Sequence, residues 1–250
     1  MNLPRVYKVG GPALEGDLFP QLAREVSRGA GQTLLVHGGG RQVDRMLRAL
    51  SLESRFVNGR RETSPASMEV VEMILSGTLN KSLAAGLTKA GVPAVGISGR
   101  DGGLVKARLA AGLGRVGTPD AVNVDLVRAL WEGGFVPVLS PVSSDPSGGP
   151  VNVNADEVAF GMALALGAAS LVYLSDVDGV RVGPQILESL STEQARRWVG
   201  DGTISGGMAL KVEVALEAAR AGIREVVIAG KARLEGGFPG TRVTEGEVAA

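Results

Sequence analysis

Short apolar runs alternate with longer stretches of helical periodicity along the whole chain. The runs fall at residues 5–9, 33–37, 92–97, 136–139, 170–174 and 225–228, and helical periodicity predicts segments at 17–28, 41–50, 65–90, 124–132, 155–166, 192–199 and 208–221. This alternation predicts an α/β fold: an open, mainly parallel twisted sheet sandwiched by helices. The longest helix carries two start signals, Ser64 as N-cap and Pro65 at the first helical position. Its apolar residues, among them Met68, Val70, Val71, Ile74, Leu75, Leu79 and Leu83, occupy more than one face, so it is buried on more than one side. One reading puts core on one side and a homodimer contact, through helix 65–90, on the other. A simply central helix fits the pattern equally well. Residues 54–63 around Asn58-Gly59, and 104–116 around Ala111-Gly112, predict β-hairpins projecting from the sheet. Residues 143–150, rich in Ser, Gly, Pro and Asp, predict a surface loop. There is no internal repeat. A lobe boundary is expected near Ala168, dividing a single domain into lobes 1–168 and 169–250.

Composition narrows the chemistry. A chain of 250 residues suits one two-lobed domain better than two independent ones. The formal net charge of zero gives no electrostatic support for a nucleic-acid or anionic-membrane partner. The absence of cysteine excludes disulfides, thiolate metal sites and a Cys nucleophile, and the single histidine, His37, excludes a multi-His metal site. No apolar run is long enough to span a bilayer and no signal-peptide pattern precedes Lys8, so the cytoplasm is the expected location. The 37 glycines fall in pairs and triplets after apolar runs, where βα turns of such sheets bind ligands.

The candidate chemistry is spread along the chain. Lys8 stands before Gly10-Gly11, Lys211 stands after Gly206-Gly207, and Asn152-Val153-Asn154-Ala155-Asp156 lies between them. Two cations with a carboxylate to hold them, and glycine backbones open to phosphate, suit phosphoryl transfer. Its transition state needs positive charge at the attacking and leaving oxygens. Lys8 ends a strand, and an unpaired buried ammonium is costly, so it needs a carboxylate or a bound phosphate unless it reaches solvent at an edge. His37-Gly38-Gly39-Gly40 sits at a strand-to-helix turn, where free N–H groups favour an anion. The plain alternative is a tight turn without a ligand. No Gly-Lys-Ser/Thr follows, so this is not a Walker A loop, and His37 reads as a satisfied turn histidine rather than a general base. Asn152, Asn154 and Asp156 alternate at period two and so share one side, although Asn154 or Asp156 could also cap the helix. The turn Ser175-Asp176-Val177-Asp178-Gly179 could bind ribose, a phosphate or a Mg2+-bound water, or be an ordinary Asp-Gly turn. Arg61 could grip a carboxylate bidentately, or be solvated beside its hairpin.

Taken in order, these motifs resemble the amino acid kinase family over residues 8 to about 243, almost the whole chain. The residues carrying the resemblance are Lys8-Val9-Gly10-Gly11, His37 to Gly40, Asn58-Gly59-Arg60-Arg61-Glu62-Thr63, Asn152 to Asp156, Leu174 to Val180, and Gly206 to Lys211, with Gly240-Thr241-Arg242 similar to the closing strand. The resemblance is to the branch that phosphorylates the side-chain carboxylate of N-acetyl-L-glutamate with ATP and Mg2+, in arginine biosynthesis. It implies that Lys8 and Lys211 stabilise the transferring phosphoryl group and that Asp156 holds both ammonium groups. Gly10, Gly11, Gly39 and Gly40 would supply N–H groups. Arg61 and Asn152, with Asn154 nearby, would bind the amino acid. The Ser175–Gly179 turn (Ser175, Asp176, Val177, Gly179) and the loop holding Gly206 and Gly207 would face the nucleotide. No protein metal ligand, general base or nucleophile is implied.

One departure is notable. The hairpin reads Arg60-Arg61-Glu62 where Leu-Arg-Val is typical, so Glu62 either pairs with Arg60 and leaves Arg61 free or alters substrate choice. Only seven residues precede Lys8, which suggests a homodimer without strong arginine feedback, since arginine-inhibited members carry an extra amino-terminal helix. Two alternatives stay open: a kinase for a related substrate such as carrier-protein-bound aminoadipate, and a non-catalytic amino-acid or nucleotide sensor.

Overall fold

The computed structural model describes residues 3–10, 18–28, 30–57, 59–175, 177–230 and 240–245. Its frame is an eight-stranded sheet in the order β14 (Ser189–Ser191), β16 (Thr241–Thr244), β15 (Glu225–Ala229), β11 (Ser170–Leu174), β1 (Arg5–Val9), β2 (Thr33–His37), β8 (Val136–Ser140) and β5 (Ala94–Ser98). All neighbours run parallel except β15 with β16. Strands β2, β8 and β11 are buried along their whole length. A parallel sheet covered on both faces needs such continuous apolar runs.

Successive side chains of each strand enter opposite layers. Val6, Leu34, Val36, Leu171 and Tyr173 pack with α5 (Asp125–Glu132), α6 (Ala155–Leu166), α7 (Thr192–Gly200) and α8 (Gly206–Arg220). Tyr7, Val9, Leu35, Val172 and Leu174 pack with α1 (Leu18–Arg28) and α4 (Asn80–Lys89). A third, smaller cluster joins α2 (Gly40–Ala49) to α3 (Pro65–Glu72) through Val43, Leu47, Met68 and Val71. Strand β1 lies between β2 and β11, so the chain leaves it in both directions. The crevice beyond the carboxyl ends of strands at such a switch point is where these sheets bind ligands, and Lys8-Val9-Gly10 end there.

The predicted long helix is one continuous run. Ser64 caps it by accepting from Ser67 N at 3.1 Å. Its middle, Met73–Leu79, is wound as a π-helix between α3 and α4. Such wide turns cluster at functional sites. Here the segment places Leu75 and Leu79 on Gly39 and leaves Met73 exposed.

Three expectations need correction. The strand expected at 92–97 starts later, at Ala94, because Val92 finishes the preceding helix. Its N–H donates to Leu87 O (2.9 Å) and Gly91 N donates to Thr88 O (3.0 Å), with Gly91 at φ +86°. This is a Schellman closure, and Val92 is apolar because it is buried, not because it is strand. The second hairpin does not simply project. Its strands β6 (Val105–Leu109) and β7 (Val116–Val122) close into a small barrel with β9 (Val142–Ser144) and β10 (Pro150–Val153). Residues 143–150 are therefore strand at both ends. The turn between them is fixed by Asp145, which is buried and accepts from Ser147 N, Gly149 N and Arg115 Nη2 at 2.8–2.9 Å. The first hairpin holds, as β3 (Phe56–Val57) paired with β4 (Arg60–Arg61); Asn58 of its turn lies outside the described residues. A further two-stranded ribbon, β12 (Arg181–Val182) with β13 (Gln185–Ile186), follows β11.

Candidate active site

The two lysines and the aspartate, far apart in the chain, meet at the carboxyl end of β1. Lys8 is its penultimate residue, Asp156 lies in the first turn of α6, and Lys211 lies on α8, which packs beside α6. Asp156 Oδ1 accepts from Lys8 Nζ and from Lys211 Nζ, both at 2.9 Å, and Oδ2 accepts from Lys211 at 2.8 Å. All three side chains are almost buried. Burial raises the Asp156 carboxyl pKa, but the charges of Lys8 and Lys211 and their hydrogen bonds outweigh it and bring it to about 2. Burial, then the charge of Lys8, lowers Lys211 to about 8 against the pull of Asp156. The Tyr173 ring lies 5.3 Å from the Lys211 ammonium and adds a cation–π contact. With both lysines protonated the cluster carries one positive charge in excess.

The glycine turn after β2 faces this cluster. Gly40 opens α2, so its amide has no intrahelical partner, and Gly39 precedes it at the cap position with no side-chain cap. A Cβ on Gly39 would stand 2.7 Å from Leu75 Cδ2, so glycine is what lets the π-wound segment press on the turn. Gly10 differs: its N–H donates to Leu174 O at 3.0 Å. Gly10 therefore offers a ligand close approach rather than a free donor. Gly11 lies outside the described residues.

His37 is fully buried, and both its ring nitrogens are used. The Asn80 amide nitrogen can only donate, so Nε2, 3.1 Å away, accepts, and the Nδ1 proton goes to Gly38 O at 2.9 Å. Burial lowers its pKa to about 4. His37 is a neutral strut, and Asn80 also ties Ile97 O and Val138 O (3.1 and 2.8 Å) to it. The sequence reading of a satisfied turn histidine agrees with this geometry.

The hairpin β3–β4 lies across the cleft. Arg61 is buried, pairs with Asp44, takes Ser54 Oγ and Gly40 O (3.3 Å) as further acceptors, and stacks 4.5 Å from the Phe56 ring centre. Arg60, the next side chain on the other face, pairs instead with Glu157 of α6. Of the two readings of Glu62, the pairing with Arg60 is not formed: Glu157 takes Arg60, and Glu62, just past the end of β4, meets the exposed Arg55 at 3.6 Å. Asn152 Nδ2 donates to Thr63 Oγ1 (3.0 Å), which donates to Arg61 O (2.7 Å), so Asn152 and Arg61 are mechanically joined. Asn154 Oδ1 accepts from Asp156 N at 2.8 Å and caps α6. Its two readings, cap and site residue, are compatible.

Lys8, Gly10, Gly39, Gly40, Arg61, Asn152, Asn154 and Asp156 all line one cavity of about 240 Å³, whose apolar wall includes Val43, Phe56, Val71 and Leu75. Lys211 joins it through Asp156. Ser175, Val177, Gly179, Gly206 and Gly207 do not line it. Ser175 follows β11 and its N–H donates to Ala229 O (2.8 Å), while Gly206 opens α8 at φ +58°. Gly179 stands so close to β16 that a Cβ would lie 2.8 Å from Thr241 Oγ1 and 3.2 Å from Thr241 N. Asp176 lies outside the described residues. Among the described residues, no group of three or more His, Asp or Glu could hold a metal ion. Nor is any helix among them long and apolar enough to cross a membrane. The residues that sequence reasoning missed are Asp44, Ser54, Phe56 and Thr63, which aim Arg61. Asp44 and Ser54 read as ordinary surface residues in the sequence, and only the fold brings them to Arg61.

Two lysines bridged by one carboxylate thus stand at the switch point of a mainly parallel α/β sheet. The sequence matches the amino acid kinase family model over residues 4–230, and the chain belongs to that family. Among curated proteins it is 44% identical over 246 residues to the acetylglutamate kinase of Rubrobacter xylanophilus, covering 96% of each chain. It is 41% identical to the acetylglutamate kinase of Bacillus licheniformis, covering 89% of this chain and 88% of the relative. Among solved structures, smu.665 from Streptococcus mutans UA159 superposes with a TM-score of 0.89 at 27% identity, over 98% of this chain and 99% of that one.

Proposed function

We propose that this protein transfers the terminal phosphoryl group of ATP to the side-chain carboxylate of N-acetyl-L-glutamate. The single observation that carries the mechanism is Asp156 holding Lys8 and Lys211 on its two oxygens with one positive charge left over. A substrate carboxylate oxygen attacks the terminal phosphorus as the bond to the ADP oxygen breaks. Charge builds on the attacking, transferring and leaving oxygens, and fixed cations there stabilise it most. Lys8, on the cavity side, serves the attacking end. Lys211, toward Gly206 and Gly207, serves the leaving end. The Gly39–Gly40 amides hold the reacting carboxylate and Arg61 with Asn152 holds the α-carboxylate. A carboxylate needs no deprotonation to attack, which suits a neutral, fully engaged His37.

The two sides of the cluster support a division of labour: residues 1–168 for the amino acid and for dimerisation through helix 65–90, and residues 169–250 for the nucleotide. Ser175, Val177 and Gly179, after β11, would face the ATP. Mg2+ fits as a companion of the nucleotide phosphates, because Asp156 is already committed to two ammonium groups. A homodimer contact through helix 65–90 would cover Met73, which is exposed in the single chain, and the cytoplasm is the proposed location.

The test is steady-state ADP release with Mg-ATP against N-acetylglutamate, glutamate, aspartate, aminoadipate, carbamate and UMP. Turnover confined largely to N-acetylglutamate is expected. Turnover with another member and none with N-acetylglutamate would keep the phosphoryl chemistry and reject the substrate.

A further inference from the structure

A second cavity, of about 600 Å³, adjoins the first, and Arg60 lines both. The boundary between them can be followed along three elements. On α6, Asp156 lines the first cavity and the next residue, Glu157, the second. On β7, Val116 lines the first and Thr118 to Val122 the second. Where the hairpin reaches α8, Gly59 lines the first and Leu210 the second, and a Cβ on Gly59 would stand 3.4 Å from Leu210 Cδ2. Between these points the wall is the Arg60–Glu157 ion pair. The pair is incompletely satisfied: Arg60 Nε and Glu157 Oε2 are buried without a hydrogen-bond partner among the described residues. A buried pair of this kind adds little net stability compared with apolar packing, so its value lies in fixing geometry. Beyond the wall the second cavity is apolar along Phe160, Leu164, Leu210 and Val214, with the exposed Glu213 and Glu217 of α8 on one side and Asp120, which pairs with Arg108, on the other.

We propose that the Arg60–Glu157 pair is a specificity-determining partition that limits the N-acyl group of the substrate to a short one, and that parting it opens a path for longer, uncharged acyl chains. This rests on the substrate assignment above. With one carboxylate at Lys8 and the glycine turn, and the other at Arg61 and Asn152, the acyl group is the remaining arm of the molecule. Arg60 closes the way out toward the apolar groove. The acidic rim would repel an anionic extension, so the chemistry admitted is a neutral alkyl chain.

The test compares kcat/KM for N-acetyl-, N-butyryl- and N-hexanoyl-L-glutamate. The unmodified protein should lose activity steeply with acyl length. The double variant Arg60→Ala/Glu157→Gln, which leaves no buried charge unpaired, should raise the hexanoyl-to-acetyl ratio by about 10-fold or more, the scale on which pockets discriminate added methylenes. The exchange Arg60→Glu/Glu157→Arg, which rebuilds the pair, should return the ratio toward its original value. Equal use of hexanoyl and acetyl substrates by the unmodified protein overturns the proposal without any variant. So does an unchanged ratio in a double variant that still turns over N-acetylglutamate. No turnover of N-acetylglutamate by the unmodified protein is a different outcome and removes the substrate assignment itself, and the partition with it.

Discussion

The cleft holds two sets of cations that are matched to carboxylates in opposite ways. At the hairpin, each arginine has its own acid: Arg61 has Asp44 and Arg60 has Glu157. At the end of β1, two lysines share Asp156. The first set is neutral in sum and the second carries an excess of one positive charge. A matched pair orients and closes. An unmatched cation in a buried site is unstable until an anion arrives. The difference accords with the proposed roles, in which the lysines meet the highly charged phosphoryl group and the arginines position and select.

The comparison breaks most sharply at the lysines. Lys211→Ala and Lys8→Ala should each lower kcat by about 100-fold or more, since each removes a fixed cation that stabilises the charge building in the transition state. Turnover of either variant within a few-fold of the parent would mean that the excess charge is not catalytic. At the matched set, Arg61→Ala should chiefly raise KM for the acyl amino acid, by about 10-fold, and leave kcat much less affected. An unchanged KM would remove Arg61 from the substrate clamp.

A smaller effect comes from proton loss at the unmatched set. Lys211, at about 8 in the ligand-free protein, must keep its proton to stabilise charge. The profile of kcat/KM reports the free enzyme, so it should be flat below pH 8 and fall above it as the excess positive charge disappears. Phosphate anions favour the protonated lysine, so the matching fall in kcat should lie at higher pH. Residual activity in Lys211→Arg should lose the descending limb, because a guanidinium stays charged throughout this range. A limb that persists unchanged belongs to another group.

What the sequence made legible follows the same division. The lysine–aspartate centre could be anticipated because each member sits in a local motif: a strand end, a helix start, a glycine turn. The main strands were equally readable, since a strand buried on both faces leaves an unbroken apolar run, as in Leu34-Leu35-Val36. The closure of β6, β7, β9 and β10 into a barrel was not, because it is made by two long-range pairings, β7 with β10 and β6 with β9, and the strands carry turn-like residues such as Ser143, Ser144 and Pro119. Asp44 and Glu157, the acids that match the arginines, look like ordinary helix-surface residues. Only the path of the hairpin across the cleft gives them partners, and no local pattern encodes that path.

The smallest expected effect is at Glu62, the residue that departs from the usual Leu-Arg-Val hairpin on the far side of Arg61. Its carboxylate faces solvent and meets Arg55, a mostly exposed side chain, at 3.6 Å, on the opposite side of β4 from Arg61. An exposed pair of this kind is worth about 0–1 kcal/mol and is screened by salt. Glu62→Gln should therefore leave KM for the acyl amino acid, and the preference between acyl amino acids, within about two-fold of the parent, the scale of such a surface change. Arg60→Leu, two residues earlier and paired with Glu157 of α6 rather than with an exposed arginine, should change that preference. If Glu62→Gln shifts the preference as strongly as Arg60→Leu does, selectivity follows the net charge of the hairpin rather than which side chain meets α6, and the distinction between matched and unmatched cations loses its structural basis.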